Sequence, residues 1–396
     1  MAIPASADPA RTKSIPQLNF FVTIIGFLDT HLLIPVMALY AASLEAGVGI
    51  VGLIIGLYSV TNTLANILGG RLVDRFGHKA PLIGGLVGDA IAMFGYTLCQ
   101  LPWHLALVRV FHGSSGGLVG PATMSVAALY STEQHRGRGM AFYGMAIAIA
   151  TLLGYGGGGI IAARLGYQYV FYIGGLLLIM AVVLAILMPR EPDRLMMRLP
   201  TGDGFRKIIE LLSKKHLRLA YWSIFAQYFA FGGIVTLLPL YVETLEMTAF
   251  HVGMLLATFS VMFIIVQLPA GRLSDRIGRV KPAALGLLLA AASVVTLPLS
   301  GNFTVMAGIM ASYGVGFGLL FPSISALVAD TSSMEEYGQA TGIFHALITV
   351  GVSVGAPVMG WVAYFLGSQT SLSLSGAPLL VALVLAALAV FRGEKK

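Results

Sequence analysis

The stretch Gly70–Lys79 reads GRLVDRFGHK, and 201 positions further on the chain repeats it at Gly271–Arg279 as GRLSDRIGR. Three more pairs match at the same spacing: Pro121 with Pro322, Gly113 with Gly314, and Gly154 with Gly355. Because the matching residues lie in separate segments, chance similarity of one loop does not explain them. The sequence therefore predicts a duplicated chain whose two halves share one orientation.

The composition predicts an all-α membrane protein. Of the 396 residues, 57% are hydrophobic and 10% are charged, against about 25% charged in soluble domains. The mean hydropathy is +0.86. Apolar runs of about 17–25 residues recur along the whole chain, each long enough to cross a bilayer. We count twelve such spans, six before and six after a polar stretch in the middle.

The basic residues predict the topology. Apart from Arg109 and Arg164, every Lys and Arg lies in the N-terminal tail, in the loops after spans 2, 4, 6 and 8, or in the C-terminal tail. By the positive-inside rule these segments are cytoplasmic, and both termini with them. The positive residues that give the net charge of +7 therefore orient the chain in the lipid bilayer of the plasma (inner) membrane. We expect no nucleic-acid partner.

The polar stretch divides the chain into three parts. We predict an N-terminal six-helix bundle over residues 1–188, a basic cytoplasmic linker over 189–218, and a C-terminal six-helix bundle over 219–396. Ile208, Ile209, Leu211 and Leu212 make part of the linker amphipathic, which is typical of a helix lying on the membrane surface.

The repeated decapeptide resembles the loop 2–3 signature of the major facilitator superfamily, G-x-x-x-D-R-x-G-[RK]-[RK]. It departs from that signature only by His78 at the first closing basic position. The resemblance implies two pseudo-symmetric six-helix bundles and a secondary transporter working by alternating access, most like the twelve-helix drug:proton antiporter group. It implies no enzyme activity.

In that family the signature latches the outward-facing state, which implies a conformational role for both copies here. Gly77 would permit a tight turn, Gly70 a close helix approach, and Asp74 an ion pair with a nearby Arg. The alternative is that these charges only hold a loop on the cytoplasmic side. The residues carried over are Gly70, Asp74, Arg75, Gly77, Lys79, Gly271, Asp275, Arg276, Gly278 and Arg279.

Two further signatures bear on coupling and direction. Residues 107–113 read LVRVFHG and resemble the span 4 signature x-x-R-x-x-x-G, found chiefly in proton-coupled members, so Arg109 is a coupling candidate. The alternative is that Arg109 extends its side chain to the interface. In span 5, antiporters carry G-x-x-x-G-P-x-x-G-G, whereas this chain has Ala150 at the first glycine and Tyr155 at the proline. That departure weakens the export prediction and favours uptake.

Asp29 is the first proton-coupling candidate. It lies near the middle of span 1 among apolar residues, so it should face the central cavity, pair with a cation or hold a proton. The alternative is a structural acid in a helix kinked near Pro35. The remaining coupling candidates are His31, His112 and His345, each of which packs as a satisfied core residue about as often as it relays protons. For Asp89 in span 3 we favour a structural role.

Polar and aromatic residues of spans 7 and 10 are candidates for the substrate path, because the resemblance implies that spans 1, 4, 7 and 10 line the cavity. The candidates are Gln227, Tyr228, Tyr313, Phe317 and Phe321. They favour an amphipathic or hydrophobic small-molecule substrate. The alternatives are hydrogen bonding between helices for the polar residues and lipid contact for the phenylalanines.

No phosphate-binding glycine loop and no Cys/His cluster occurs in the sequence, so we expect neither cofactor nor metal. The leading hypothesis is proton-coupled efflux by a monomer, with protons as the coupling ion. The alternatives are an uptake permease for a sugar, organic acid or peptide, and a lipid flippase.

Overall fold

The computed structural model describes residues 9–129, 136–188, 210–332 and 337–393, and within these ranges it contains helices and no strand. The helices are α1 Pro9–Ser43, α2 Val48–Phe76, α3 Lys79–Tyr96, α4 Pro102–Leu129, α5 Arg136–Leu165, α6 Tyr167–Leu187, α7 Lys215–Thr244, α8 Ala249–Ile277, α9 Val280–Thr296, α10 Phe303–Thr331, α11 Tyr337–Leu374 and α12 Ala377–Gly393. The twelve-helix fold predicted from the sequence is confirmed.

The backbone repeats the duplication at every described residue with positive φ. Glu45 and Glu246 have φ of 65° and 59°, Gly77 and Gly278 have 75° and 87°, and Gly166 and Gly367 have 99° and 78°. Each pair is separated by 201 positions. Gly367 interrupts α11 at the position where Gly166 separates α5 from α6. The turn between α5 and α6 therefore has a counterpart in the second half of the chain, although α11 continues across it there.

The chain divides into two compact units. The first contains α1 up to Val36, α2 from Val60, and α3 to α6, while the second contains Met37–Ser59 together with α7 to α12. The predicted linker over 189–218 falls largely on residues 189–209, which lie outside the described ranges. The three predicted domain boundaries stay a prediction.

Glycines bring corresponding helices together in both units. A Cβ added to Gly154 of α5 would lie 2.8 Å from the carbonyl carbon of His31 in α1, and one added to Gly355 of α11 would lie 2.8 Å from the Cα of Phe229 in α7. Gly154 and Gly355 are one of the matched pairs in the sequence. Such close approach requires the absence of a side chain, because the partner surface is helix backbone.

The helices differ in how apolar they are. Among the described residues, nine stretches are long and apolar enough to cross a membrane, and one of them, residues 339–389, runs through both α11 and α12. The helices α3 and α4 are not among these stretches. They carry Asp89, Arg109 and His112, whose polarity lowers the hydropathy of both helices.

The glycine contact predicts a difference between two equal substitutions in α5. Gly154→Ala should lower the midpoint of thermal unfolding, because the strain of an added methyl group against helix backbone, about 1–3 kcal/mol, exceeds the gain in helix propensity of about 1 kcal/mol. Gly144→Ala is the control, since a Cβ there meets nothing within 4 Å, and it should not lower the midpoint. Equal midpoints for the two variants would contradict the predicted contact.

Candidate functional site

A buried pair of ionisable side chains joins α1 to α4 in the first unit. Nε2 of His112 lies 2.8 Å from Oδ2 of Asp29. Asp29 is 2% exposed and His112 is fully buried. The other carboxylate oxygen of Asp29 accepts the backbone N–H of Thr30 at 2.6 Å. The structure thus brings together two of the coupling candidates that the sequence named separately.

Asp89 of α3 lies in the same cluster, although the sequence analysis favoured a structural role for it. Its Oδ1 lies 3.8 Å from Nε2 of His112 and 2.5 Å from the hydroxyl of Ser115. A Cβ added to Gly88 of α3 would lie 2.5 Å from the Cβ of Ser115, and one added to Gly85 would lie 2.9 Å from Cγ2 of Val119, both on α4. These two glycines therefore let α3 approach α4 closely enough for Asp89 to reach His112.

Tyr96 and Arg109 extend the cluster on the other side of His112. The hydroxyl of Tyr96 lies 2.9 Å from Nδ1 of His112, and the Arg109 guanidinium interacts with the same hydroxyl. Arg109 is 6% exposed. Because it is buried beside Tyr96, its side chain does not extend to the interface, which was the alternative to a coupling role.

Helical spacing places these residues on common faces. Asp89 and Tyr96 are seven positions apart on α3, and Arg109, His112 and Ser115 follow at intervals of three on α4. Residues at such intervals share one side of a helix. This polar stripe was the available signal for Asp89, Tyr96 and Ser115, which the sequence analysis did not connect with Asp29. We name the set Asp29, Asp89, Tyr96, Arg109, His112 and Ser115 the polar cluster.

The remaining histidine candidates lie outside the polar cluster. His31 has its Nδ1 2.6 Å from the carbonyl oxygen of Phe27 and its Nε2 3.0 Å from the hydroxyl of Thr151 in α5. Both of its ring nitrogens are therefore engaged on a different face of α1 from Asp29. His345 lies on α11 of the second unit, where it is exposed and its ring contacts Phe344.

Asp29, Asp89 and His112 each offer one atom that could ligate a metal ion, and these three atoms lie within 4.8 Å of one another. Both ring nitrogens of His112, however, already lie at hydrogen-bond distance from protein groups. We therefore describe the polar cluster as a hydrogen-bonded network.

The second unit has a neutral pair at the corresponding place. Tyr313 of α10 stands 201 positions after His112, and its hydroxyl accepts a hydrogen bond of 2.7 Å from Nε2 of Gln227 in α7. Both side chains are 1% exposed. Oε1 of Gln227 has no hydrogen-bond partner within the described part of the chain. Each unit thus links its first and fourth helices through a buried polar pair, ionisable in one unit and neutral in the other.

Aromatic rings surround the neutral pair in the second unit. Tyr228 meets Phe317 edge to face with ring centroids 5.6 Å apart, and Phe317 stacks on Phe263 at 4.7 Å. Phe321 contacts Phe317 at 5.8 Å. The cavity candidates of spans 7 and 10 therefore lie in one continuous group, which we name the aromatic cluster: Tyr228, Phe231, Phe259, Phe263, Tyr313, Phe317, Phe321 and Phe344.

The two copies of the signature loop make different contacts. In the first copy Lys79 donates to the carbonyl oxygens of Ile186, at 2.6 Å, and Met188, at the C-terminal end of α6. A cation is favoured there by the helix dipole. Arg75 lies over the ring of Phe76, 5.2 Å from its centroid. The side chain of Asp74 lies outside the described part of the structure.

In the second copy Arg279 donates to Asp330 of α10 at 2.7 Å and to Asp275. These hydrogen bonds, to Asp330 first and then to Asp275, raise the pKa of Arg279 above its usual value. Arg276 is exposed. The expected turn is present at Gly77 and Gly278. The expected close approach at Gly70 is not, because a Cβ built there or at Gly271 meets no described atom within 4 Å.

Comparison with known proteins places these features in a family. A family model described as Major Facilitator Superfamily matches residues 20–252 and again residues 220–396. An uncharacterised transporter of that type from Methanocaldococcus jannaschii is 25% identical over 89% of this chain and 92% of its own length. Multidrug resistance protein 1 of Bacillus subtilis is 23% identical over 88% of each chain.

A solved structure shares the fold. The crystal structure of a bacterial homologue of the human lysosomal transporter Spinster, in an inward-facing and unoccupied conformation, superposes with a TM-score of 0.81 at 13% identity. The match covers 97% of this chain and 98% of that one.

The position of Tyr96 predicts its contribution to stability. Tyr96→Phe should lower the free energy of unfolding by about 1–3 kcal/mol, because it removes the hydroxyl from between two buried polar groups, Arg109 and His112. The measurement is the unfolding midpoint of the purified protein in detergent. Tyr169→Phe, at an exposed tyrosine, is the matched control, and an equal shift in both variants would contradict the role of the hydroxyl.

Proposed function

The chain belongs to the major facilitator superfamily, and from that premise we propose that it exports a small amphipathic molecule in exchange for protons. It is a multi-pass membrane transporter with a small-molecule substrate, and it is not an enzyme. The proton coupling, the direction and the amphipathic character of the substrate are the proposal.

The buried contact between Asp29 and His112 carries the proposal of proton coupling. Groups that gain or lose protons inside an apolar bundle change the charge of their surroundings, at a cost of several kcal/mol for an unbalanced charge. A conformation that exposes the polar cluster to water removes that cost. Protonation is therefore coupled to conformation at this position, as alternating access requires.

The aromatic cluster supports an amphipathic substrate. Its rings offer stacking and edge-to-face contacts to a planar or apolar molecule, and the buried Oε1 of Gln227 supplies one hydrogen-bond acceptor beside them. The relatives include a protein named for multidrug resistance, which agrees with a substrate defined by apolar surface rather than by one functional group.

The sequence patterns supply the remaining parts of the proposal. The distribution of Lys and Arg favours cytoplasmic termini, and we propose that the transporter acts as a monomer in the inner membrane. The signature loops are the conformational latch, with Arg279 bound to Asp275 and Asp330 in one copy and Lys79 bound to the end of α6 in the other.

Uptake of a metabolite is the second candidate, and Tyr155 is the observation that favours it. Antiporters of the family carry proline at that position of span 5, whereas here Tyr155 is 3% exposed and its ring lies 5.4 Å from that of His31. The two candidate functions differ in the direction of transport. Inside-out vesicles that take up a dye against its gradient when acidified inside favour export.

Asp29→Asn should abolish the dependence of transport on the proton gradient, because the variant removes the carboxylate that His112 contacts. The measurement is ethidium flux in proteoliposomes with and without a pH gradient, at matched protein density. Glu243→Gln, at an exposed residue of α7, is the control and should keep the dependence. If Asp29→Asn transports like the unmodified protein at every pH, the proton-coupling proposal is wrong.

Phe317→Ala should weaken ethidium binding about tenfold, which corresponds to about 1.4 kcal/mol, because Phe317 contacts four other rings of the aromatic cluster. Binding is measured as the dissociation constant from fluorescence. Phe365→Ala removes an equal ring that is 75% exposed and should leave the constant unchanged. An unchanged constant for Phe317→Ala would exclude the aromatic cluster as the binding surface.

A further inference from the structure

A neutral His112 completes a continuous chain of hydrogen bonds from Arg109 to Asp29. Arg109 can only donate, so the oxygen of Tyr96 accepts from it and the Tyr96 hydrogen is available to Nδ1 of His112, 2.9 Å away. A neutral imidazole that accepts at Nδ1 carries its hydrogen on Nε2. Nε2 then donates to Asp29, whose Oδ2 is 2.8 Å distant. In this chain of donors His112 is neutral.

The two carboxyl groups of the polar cluster accept different numbers of hydrogen bonds. Asp29 accepts from Nε2 of His112 and from both the N–H and the hydroxyl of Thr30, which is the environment of an ionised carboxylate. Asp89 has only Ser115 at hydrogen-bond distance, and its Oδ2 has no hydrogen-bond partner in the part of the chain that the structure describes. An ionised Asp89 would be poorly stabilised there.

The charge balance leads to the same assignment. Arg109 and an ionised Asp29 cancel, so an ionised Asp89 would leave one net negative charge among side chains that are at most 6% exposed. Burying an unbalanced charge costs several kcal/mol. In the part of the chain that the structure describes, the neighbouring helices offer little compensation. The helix α6, which also packs against α3, carries no Asp, Glu, His, Lys or Arg. The charged residues of α5 are Arg136, Arg138 and Arg164, in its first and last turns, and His31 of α1 is engaged by Phe27 and Thr151.

Ser115 provides the partner for a protonated Asp89. Its hydroxyl lies 2.5 Å from Oδ1 of Asp89, and 3.1 Å and 3.3 Å from the carbonyl oxygens of His112 and Phe111. Its one hydrogen cannot point both at Asp89 and at these carbonyls. A proton on Oδ1 resolves the conflict. Asp89 then donates to Ser115, and Ser115 donates to a carbonyl.

We infer that Asp89, and not Asp29, is the carboxyl group that holds the exchangeable proton of the polar cluster in this conformation. Asp29 remains ionised between His112 and Thr30, in balance with Arg109. Loss of the proton from Asp89 leaves the cluster with a net charge of −1, which favours a conformation that admits water or a new proton. The consequence for transport rests on the proposed proton coupling, whereas the assignment of the proton does not.

The assignment is tested by infrared difference spectroscopy between acidic and alkaline pH on the purified protein in nanodiscs, without substrate or gradient. The unmodified protein should show one buried protonated carboxyl band that alkalinisation removes, and Asp89→Asn should lack it. Ser115→Ala should shift the band to higher frequency, because the Asp89 carboxyl loses its hydrogen bond. Thr30→Val, next to Asp29, should leave its frequency unchanged, and Glu243→Gln should alter neither its frequency nor its intensity.

Three results would overturn the assignment. A band that persists in Asp89→Asn, or one that shifts with Thr30→Val but not with Ser115→Ala, would place the proton on Asp29. The absence of any such band in the unmodified protein would place it on His112. Since Ser115→Ala leaves both carboxyl groups in place, the test holds even if Asp89→Asn fails to fold. A band from Asp89 together with gradient-independent ethidium flux would refute the proposed function and leave the assignment intact.

Discussion

Charge buried inside an apolar helix bundle must be balanced within the bundle, and the first unit of this transporter is arranged around that constraint. Arg109, Asp29 and Asp89 lie on three helices and are each at most 6% exposed, so none of them can rely on water for solvation. Hydrogen bonds through Tyr96 and His112 connect the cation to the carboxylate of α1. Because removing the charge of Arg109 or of Asp29 leaves the other uncompensated, the positions of α1 and α4 in this unit depend on one another, and Tyr96 ties α3 to the same pair.

The duplication separates what the two units share from what each adds. The turns at positive φ and the glycine contacts between equivalent helices recur at the same spacing, because both units solve the same packing problem. The buried ionisable residues of the polar cluster do not recur. Met310 and Ala290 stand 201 positions after Arg109 and Asp89, and Tyr313 stands at the position of His112. A neutral polar pair and stacked rings therefore occupy the second unit where the first has its charges, so the polar cluster and the aromatic cluster lie in different units.

The fold was largely predictable from the sequence, and the polar cluster only in part. Asp29, Arg109 and His112 were recognisable one by one, because ionisable residues in apolar spans are rare. A structural role was predicted for Asp89, because span 3 is usually peripheral in the family that the sequence resembles. The clue lay in Gly85 and Gly88, which precede it, but glycine is common in membrane helices, and only the contact with Ser115 reveals which glycines bring α3 against α4.

The sequence by itself determined that the chain is a duplicated, twelve-helix membrane protein, because hydropathy, the positions of Lys and Arg, and the repeat at 201 residues are properties of the chain alone. The tertiary structure decided which polar residues meet. His31 and His112 look alike in the sequence, yet one satisfies both ring nitrogens within α1 and α5 and the other joins Asp29, Asp89 and Tyr96. That difference depends on how the packed helices are rotated and spaced. Contacts between residues distant in sequence set this arrangement, so a local sequence pattern does not reveal it.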